Sequence, residues 1–243
     1  MARWETPPGE PILEEDEVHV WRISLPSIEP HRAWETLSDE ERRRAARHRF
    51  AVHRTRFVAG RAALRAVLSA YLGMPASEVP LVGGAGGKPR LTGDRKLDFN
   101  LAHSGDLALV AVTRGRAVGV DVERLRRGVP YERLARRFFA PAEAEALRHV
   151  PVRLRPAAFF ACWTRKEAWL KASGHGLDRG LPWALPRFAV SVEPRPTALA
   201  VILPDRPQDS GRWSLVDVRV GSGYAGALAV EGPVRARFYR WSA

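Results

Sequence analysis

Val118-Gly119-Val120-Asp121-Val122-Glu123 is the stretch on which the fold reading turns. Its valines recur at every second position. In a strand, alternate side chains share a face. The pattern therefore predicts a strand in which Asp121 and Glu123 project together while Val120 and Val122 point the other way. Two carboxylates held side by side repel, and Asp121 stands among valines where water is scarce. Such a pair calls for a compensating cation. Oxygen donors of this kind suit Mg²⁺, which takes one or two carboxylates and leaves its other positions to waters and phosphates. The plain alternative is a strand end emerging into solvent, with Arg124, Arg126 and Arg127 as counter-ions. These residues alone leave both open.

Working outward, Leu107 to Val112 and Ala117 to Val122 read as two strands joined around Arg114-Gly115-Arg116, a hairpin. Upstream, residues 1–17 form a loose lead-in, and Val18 to Leu25 alternates like a strand. Ser38, followed by Asp39, Glu40 and Glu41, starts a basic helix that runs to about Phe50. Arg54 to Tyr71 is a second helix, with Phe57, Leu64, Leu68 and Leu72 at helical spacing and Gly73 as its stop. Downstream, Pro141 to Leu147 and Ala157 to Ser173 are helices, the latter ended by Gly174. Short strands follow near Phe188–Val192, Leu199–Leu203, Trp213–Val218 and Tyr224–Val230. Each half of the chain thus combines strands with one long helix, and Arg61 to Ala66 faintly echoes Arg165 to Ala172. The expected fold is α+β, with two similar halves divided into 1–115 and 116–243.

Three further stretches carry chemistry. In Trp163-Thr164-Arg165-Lys166-Glu167-Ala168-Trp169-Leu170-Lys171, Glu167 and Lys171 share a helical face. An ordinary surface pair would explain that spacing. Yet Phe159, Phe160, Trp163, Trp169 and Leu170 cover most of the helix, so it is largely buried and its charges are expected to face a site. Asn100-Leu101-Ala102-His103-Ser104-Gly105 reads as a polar turn after Phe99, where binding groups are common. Arg42, Arg43, Arg44, Arg47, His48, Arg49, His53, Arg54, Arg56 and Arg61 form a basic run. It is either a solvated helix face or a cluster suited to a phosphate monoester. Lys88 follows a glycine-rich turn but lacks the spacing of a phosphate-binding P-loop.

The chain has 243 residues, 45% hydrophobic content and a net charge of +12. That suffices for real cores and excludes a disordered composition. Lys88, Lys96, Lys166 and Lys171 are its only lysines, and Cys162 its only cysteine. A disulfide framework and a cysteine-built zinc site are therefore excluded. The polar, acidic N-terminus lacks the layout of a secretory signal, and no apolar run is long enough to span a bilayer. A cytoplasmic protein is expected. The basic charge admits acidic partners, nucleic acid among them, but no nucleic-acid-binding motif accompanies it.

Taken in order, these pieces resemble the surfactin-synthetase-activating type of 4′-phosphopantetheinyl transferase. The resemblance rests on His53-Arg54-Thr55, Gly87-Lys88-Pro89, Asn100 to Ser104, Gly119 to Glu123, and Trp163 to Lys171, spanning residues 47–177. It implies a pseudo-dimeric chain of two α/β halves with coenzyme A in the cleft between them. It implies that Asp121, Glu123 and Glu167 hold Mg²⁺. Arg49 and Arg54 are implied as the clamp on the 3′-phosphate, with Lys88, His103 and Ser104 as further coenzyme A contacts and Lys171 near the pyrophosphate. Glu167 is the first choice for the base that deprotonates a carrier-protein serine, and His103 the second. The family often has another base three residues before the position of Arg49. Here that residue is Ala46, and Arg47 or Arg43 would substitute. Trp163 in place of Phe leans away from the siderophore-dedicated subgroup. The implied partners are coenzyme A and an apo acyl or peptidyl carrier protein, with no nucleic acid and no membrane, and the protein is expected to be a monomer. The competing enzyme reading is a different metal-dependent coenzyme A or nucleotide enzyme.

Overall fold

The computed structural model describes residues 3–7, 9–83, 88–93, 96–126, 128–174, 184–193, 201–205 and 207–241. The first half holds β1 (Glu17–Ser24), α1 (Pro30–Thr36), α2 (Asp39–Ala46), α3 (Ala51–Leu72), β2 (Leu81–Gly83), β3 (Pro89–Leu91), β4 (Leu97–Ser104) and β5 (Leu107–Arg114). The second holds β6 (Val118–Arg124), α4 (Tyr131–Phe138), α5 (Pro141–His149), α6 (Arg155–Ser173), β7 (Trp213–Asp217), β8 (Tyr224–Glu231) and β9 (Arg235–Arg240).

Two sheets organise these elements. One has the order β4-β5-β1-β9 and the other β6-β8-β7, with β2 and β3 forming a small separate ribbon. β9 lies parallel to β1, so the end of the chain returns to the first half's sheet. The alternation read from the sequence sorts the side chains into three apolar layers. Ile23, Val110 and Val112 pack against Leu64, Val67 and Leu68 of α3. Val18, Val20, Leu109 and Ala111 meet Val118, Val120, Val122, Leu228 and Val230 between the two sheets. Ala227 and Ala229 pack against Phe160, Ala168 and Ala172 of α6. Each large aliphatic side chain buried this way contributes about 1.5–3 kcal/mol. The mixed α+β architecture, with one long helix on the outer face of each sheet, is the expected one.

The two long helices are anchored alike. Arg65 of α3 is buried, donates to Glu41 Oε2 at 2.7 Å and caps the carbonyls of Ala76, Ser77 and Val79. Arg165 of α6 is fully buried, donates to both oxygens of Asp217 at 2.7 and 2.6 Å, and caps the carbonyls of Ser191 and Glu193. Planar guanidinium groups suit this fork geometry and carry their charge indoors only when so satisfied. Both helices stop at a glycine in the left-handed region, Gly73 at φ 61° and Gly174 at φ 75°.

Several sequence expectations need correction. β5 and β6 do not form a hairpin: β5 pairs with β4 and β1, and β6 pairs with β8 in the other sheet. Local turn chemistry looked right, but each strand finds its apolar partners elsewhere. The basic helix ends at Ala46 rather than near Phe50, because α2 buries only Glu41 and Ala45 and lacks an apolar face to continue. Asn100, His103 and Ser104 lie on β4, and the turn falls after them. The strand expected at Phe188–Val192 is reduced to a single bridge between Ala189 and Ile202; Leu199 and Ala200 lie outside the described residues. β9 gives little strand signal in the sequence, because its basic residues Arg235, Arg237 and Arg240 mask the buried Tyr239. Among the described residues, no helix is long and apolar enough to cross a membrane.

Candidate active site

The site forms where β6 meets α6. Gly119, in the middle of the decisive stretch, carries no side chain, and that absence lets the helix backbone lie directly on the strand. A Cβ there would stand 2.1 Å from the Ala168 carbonyl oxygen and 2.5 Å from the Ala172 nitrogen. Two residues on, Asp121 faces the same helix. Its Oδ1 accepts a hydrogen bond from Lys171 Nζ at 2.6 Å. The i, i+4 reading of Glu167 with Lys171 as a surface pair is thereby replaced: Lys171 binds across to the strand.

Asp121 and Glu167 are both buried, and Asp121 Oδ2 and Glu167 Oε1 have no hydrogen-bond partner. Burial, with Glu123 adding repulsion against the pull of Lys171, pushes the Asp121 carboxyl up to about 6. Burial and the neighbouring Asp121 push Glu167 up to about 7. Burial alone would depress the Lys171 ammonium, but Asp121, Glu167 and Glu123 together hold it above its ordinary value. Glu123 is half-exposed and accepts from Ser104 Oγ at 2.7 Å. Arg126, one of the counter-ions the sequence offers, lies 3.9 Å from Glu123 at the exposed rim, while the buried pair Asp121 and Glu167 has Lys171 between them. Among the described residues no three His, Cys, Asp or Glu side chains close into a ready cage. An open set of carboxylate oxygens, two of them unpartnered, nevertheless fits a cation that keeps waters and substrate oxygens as its other ligands.

The first half contributes from the opposite side. Lys88 Nζ crosses to donate to the Lys171 carbonyl at 2.8 Å, and burial holds the Lys88 ammonium below its ordinary value. His103, on the α3 side of β4, keeps an exposed face, and partial desolvation together with the positive charges of Lys171, Arg56 and Arg61 holds it below its ordinary value. The same field links it to the lysine at the carboxylates and to the basic run. From that run, the charges of Arg56 and Arg61 act on His103, and Arg56 itself donates to Asp106 Oδ1 at 2.8 Å; sequence spacing offers no means of picking them out. Arg49 and Arg54 are exposed near the start of α3, with the Arg49 guanidinium over the Phe50 ring at 5.5 Å. Gly87 lies outside the described residues.

Two charges expected to face the site do not. Lys166 is fully buried on the other side of α6, donating to Glu143 Oε2 at 2.6 Å and to the Phe188 carbonyl at 2.5 Å. Arg165 is the anchor described above. Cys162 is buried, and burial raises its thiol well above the ordinary range, so it is inert.

The 4′-phosphopantetheinyl transferase superfamily model matches residues 117–229, and the N-terminal domain model of 4′-phosphopantetheinyl transferase matches residues 21–115. The 4′-phosphopantetheinyl transferase HetI of Nostoc is 40% identical over 235 residues, 94% of each chain. The chain belongs to the 4′-phosphopantetheinyl transferase superfamily. Another relative, the transferase psf-1 of Bacillus pumilus, is 32% identical over 146 residues, covering 60% of this chain and 61% of its own. A solved holo-acyl-carrier-protein synthase bound to coenzyme A, from Chronobacterium ammoniagenes, overlaps 49% of this chain and 98% of its own at 22% identity and a TM-score of 0.33. In this transferase the boundary between the two matched segments falls at residues 115–117, where the chain leaves one sheet for the other.

Proposed function

We propose that this transferase moves the 4′-phosphopantetheine arm of coenzyme A onto a serine of an apo carrier protein and releases adenosine 3′,5′-bisphosphate. One observation carries the reading in mechanistic terms: two buried, unpartnered carboxylate oxygens, Asp121 Oδ2 and Glu167 Oε1, stand beside Lys171 where the two halves meet.

Asp121, Glu123 and Glu167 are the residues that would hold Mg²⁺. The chemistry the ion supplies when bound is neutralisation of charge on a pyrophosphate. The chain's own residues account for the rest. Lys171, partly exposed and strongly cationic, places a positive charge against the phosphates. Lys88 and His103 present polar atoms from the first half, so a ligand between the halves would touch both. Arg49 and Arg54 supply exposed guanidinium forks suited to the dianionic 3′-phosphate. In the transfer, the serine oxygen bonds to the phosphorus bearing the pantetheine arm while the bond from that phosphorus to the nucleotide oxygen breaks. The serine proton needs an acceptor. Glu167 is the first candidate, because its buried carboxylate keeps one oxygen, Oε1, without a hydrogen-bond partner beside Lys171 and Asp121. His103 is the second, because its depressed pKa keeps the ring neutral, with a nitrogen lone pair free to accept a proton. Positioning and charge stabilisation dominate such phosphoryl transfers.

The test is direct. The protein is incubated with coenzyme A, Mg²⁺ and an apo carrier protein, and the carrier is weighed. The mass gain of one phosphopantetheine group on a single serine is expected. An unmodified carrier, under conditions where a known transferase modifies it, overturns the reading.

A further inference from the structure

Two side chains of β4 reach across to β6, and the mechanism above uses neither bond. Asn100 is only 4% exposed, and its Oδ1 accepts the Val120 N–H at 2.9 Å. Four residues on, Ser104 Oγ accepts the Arg124 N–H at 3.1 Å and donates to Glu123 Oε2 at 2.7 Å. Residues four apart on a strand share a face. Here two such residues meet two N–H groups that are also four apart on the partner strand.

β4 is one edge of the first half's sheet, and β6 is one edge of the second's. An edge strand carries backbone donors without a ladder to receive them. Asn100 and Ser104 supply that reception from side chains, so the two sheets are laced together without merging. The tie points, Val120 and Arg124, bracket Asp121, Val122 and Glu123. The braced span is therefore the one that carries the carboxylates. Its other wall is fixed by the contact of Gly119 with α6. The segment is held from both sides.

We propose that Asn100 and Ser104 are positioning residues for the metal-binding carboxylates. They fix the span that bears Asp121 and Glu123 against the first half, and Ser104 orients the Glu123 carboxylate directly. The inference rests on the reading of Asp121, Glu123 and Glu167 as cation ligands. It also changes the role of Ser104. Its hydroxyl is committed to two β6 groups, so its contribution lies in orienting the carboxylate rather than in gripping a coenzyme A phosphate. Partners that orient a ligating carboxylate act on metal affinity as well as on rate.

The experiment uses the full chain with Mn²⁺ as the probe. Its binding is read by electron paramagnetic resonance, alongside steady-state kinetics with coenzyme A and an apo carrier. Ser104→Ala is expected to weaken Mn²⁺ binding about tenfold to a hundredfold and to lower kcat, with the KM for coenzyme A held within about threefold. Ser104→Thr keeps the hydroxyl and is expected to restore most of the Mn²⁺ affinity. Asn100→Ala is expected to shift both readouts in the same direction with a lower Tm; if it does not fold, the two Ser104 variants carry the test. Mn²⁺ affinity and kcat unchanged in Ser104→Ala overturn the proposal. So does a raised KM for coenzyme A with Mn²⁺ affinity intact, which would place Ser104 on the substrate. A wild type that neither binds Mn²⁺ nor modifies the carrier overturns the underlying site reading instead, and is told apart because every variant then lacks a reference signal.

Discussion

Gly119 and Ala168 are in backbone contact: a methyl group on Gly119 would sit 2.1 Å from the Ala168 carbonyl oxygen. That separation is far inside van der Waals distance, and the clashing atom is backbone, which cannot rotate away. The glycine therefore sets the spacing between β6 and α6, and with it the distance across which Lys171 reaches Asp121.

Gly119→Ala is expected to push α6 off the strand. Overpacking of this kind costs about 1–3 kcal/mol, and the lost Lys171–Asp121 geometry should reduce transfer far more than stability alone explains. Thermal unfolding and turnover of the folded fraction measure the two effects separately. A variant with wild-type Tm and turnover would show that α6 does not rest on Gly119.

Glu167→Gln is expected to separate stability from function. The wild-type carboxylate is buried with one oxygen unpartnered, and unmet buried polar groups cost about 1–3 kcal/mol. Removing its charge also relieves repulsion from Asp121. The metal-free variant should unfold at the same temperature as the wild type or higher, while transfer falls at least about a hundredfold. A variant that transfers normally would strip Glu167 of its role.

Arg165→Met and Lys166→Met are expected to destabilise without touching the substrate. Each removes one partner from a buried, hydrogen-bonded ion pair, a change that costs about 3–5 kcal/mol. The KM for coenzyme A measured on folded protein should not move. A selective rise in KM would place these charges in the site after all.

Arg54→Ala tests the basic run. Hydrogen bonds to charged groups contribute about 1.5–3 kcal/mol. Losing a 3′-phosphate clamp should therefore weaken coenzyme A markedly and dephospho-coenzyme A little. The ratio of the two specificity constants, at fixed ionic strength, is expected to collapse. An unchanged ratio returns Arg54 to a solvated face.

His19 makes stability depend on pH. The ring is fully buried, with Nε2 3.2 Å from Glu17 Oε2 and Nδ1 2.8 Å from Tyr71 Oη, and Arg237 donates to the same Glu17. Burial is the largest influence and lowers the His19 pKa below 6.5. The unfolded chain therefore binds the proton first as pH falls. His19 stabilises fully above about 6.5 and loses that contribution as pH drops toward its folded value. Glu17, also held below its ordinary value despite burial, adds a loss of the same sign below 4.5. His19→Gln should flatten the fall in Tm between pH 7.5 and 5.5. An equal slope in both proteins would remove His19 as the cause.

Much of the site was legible because its chemistry is local. Asp121 and Glu123 are two apart on a strand and Glu167 and Lys171 four apart on a helix, so period alone says which side chains travel together. The apolar cover of α6 announced its burial in the same way. The glycine stops at Gly73 and Gly174 were legible too, since the left-handed backbone there favours a residue without Cβ.

The sequence by itself determined the two long helices and their glycine stops, the strand that bears the carboxylate pair, and the family to which its ordered motifs belong. Only the tertiary structure decided which sheet β6 joins, that β9 returns to β1, that Lys171 binds Asp121 rather than Glu167, and that Arg165 and Lys166 turn inward. It also decided that Asn100 and Ser104 lace the two sheet edges together. The physical reason is the range of the interactions. Periodicity reports the faces of a single element, whereas sheet order, ion-pair choice and edge-to-edge bracing depend on apolar surfaces and polar groups far apart in the chain, and these become neighbours only when the layers close.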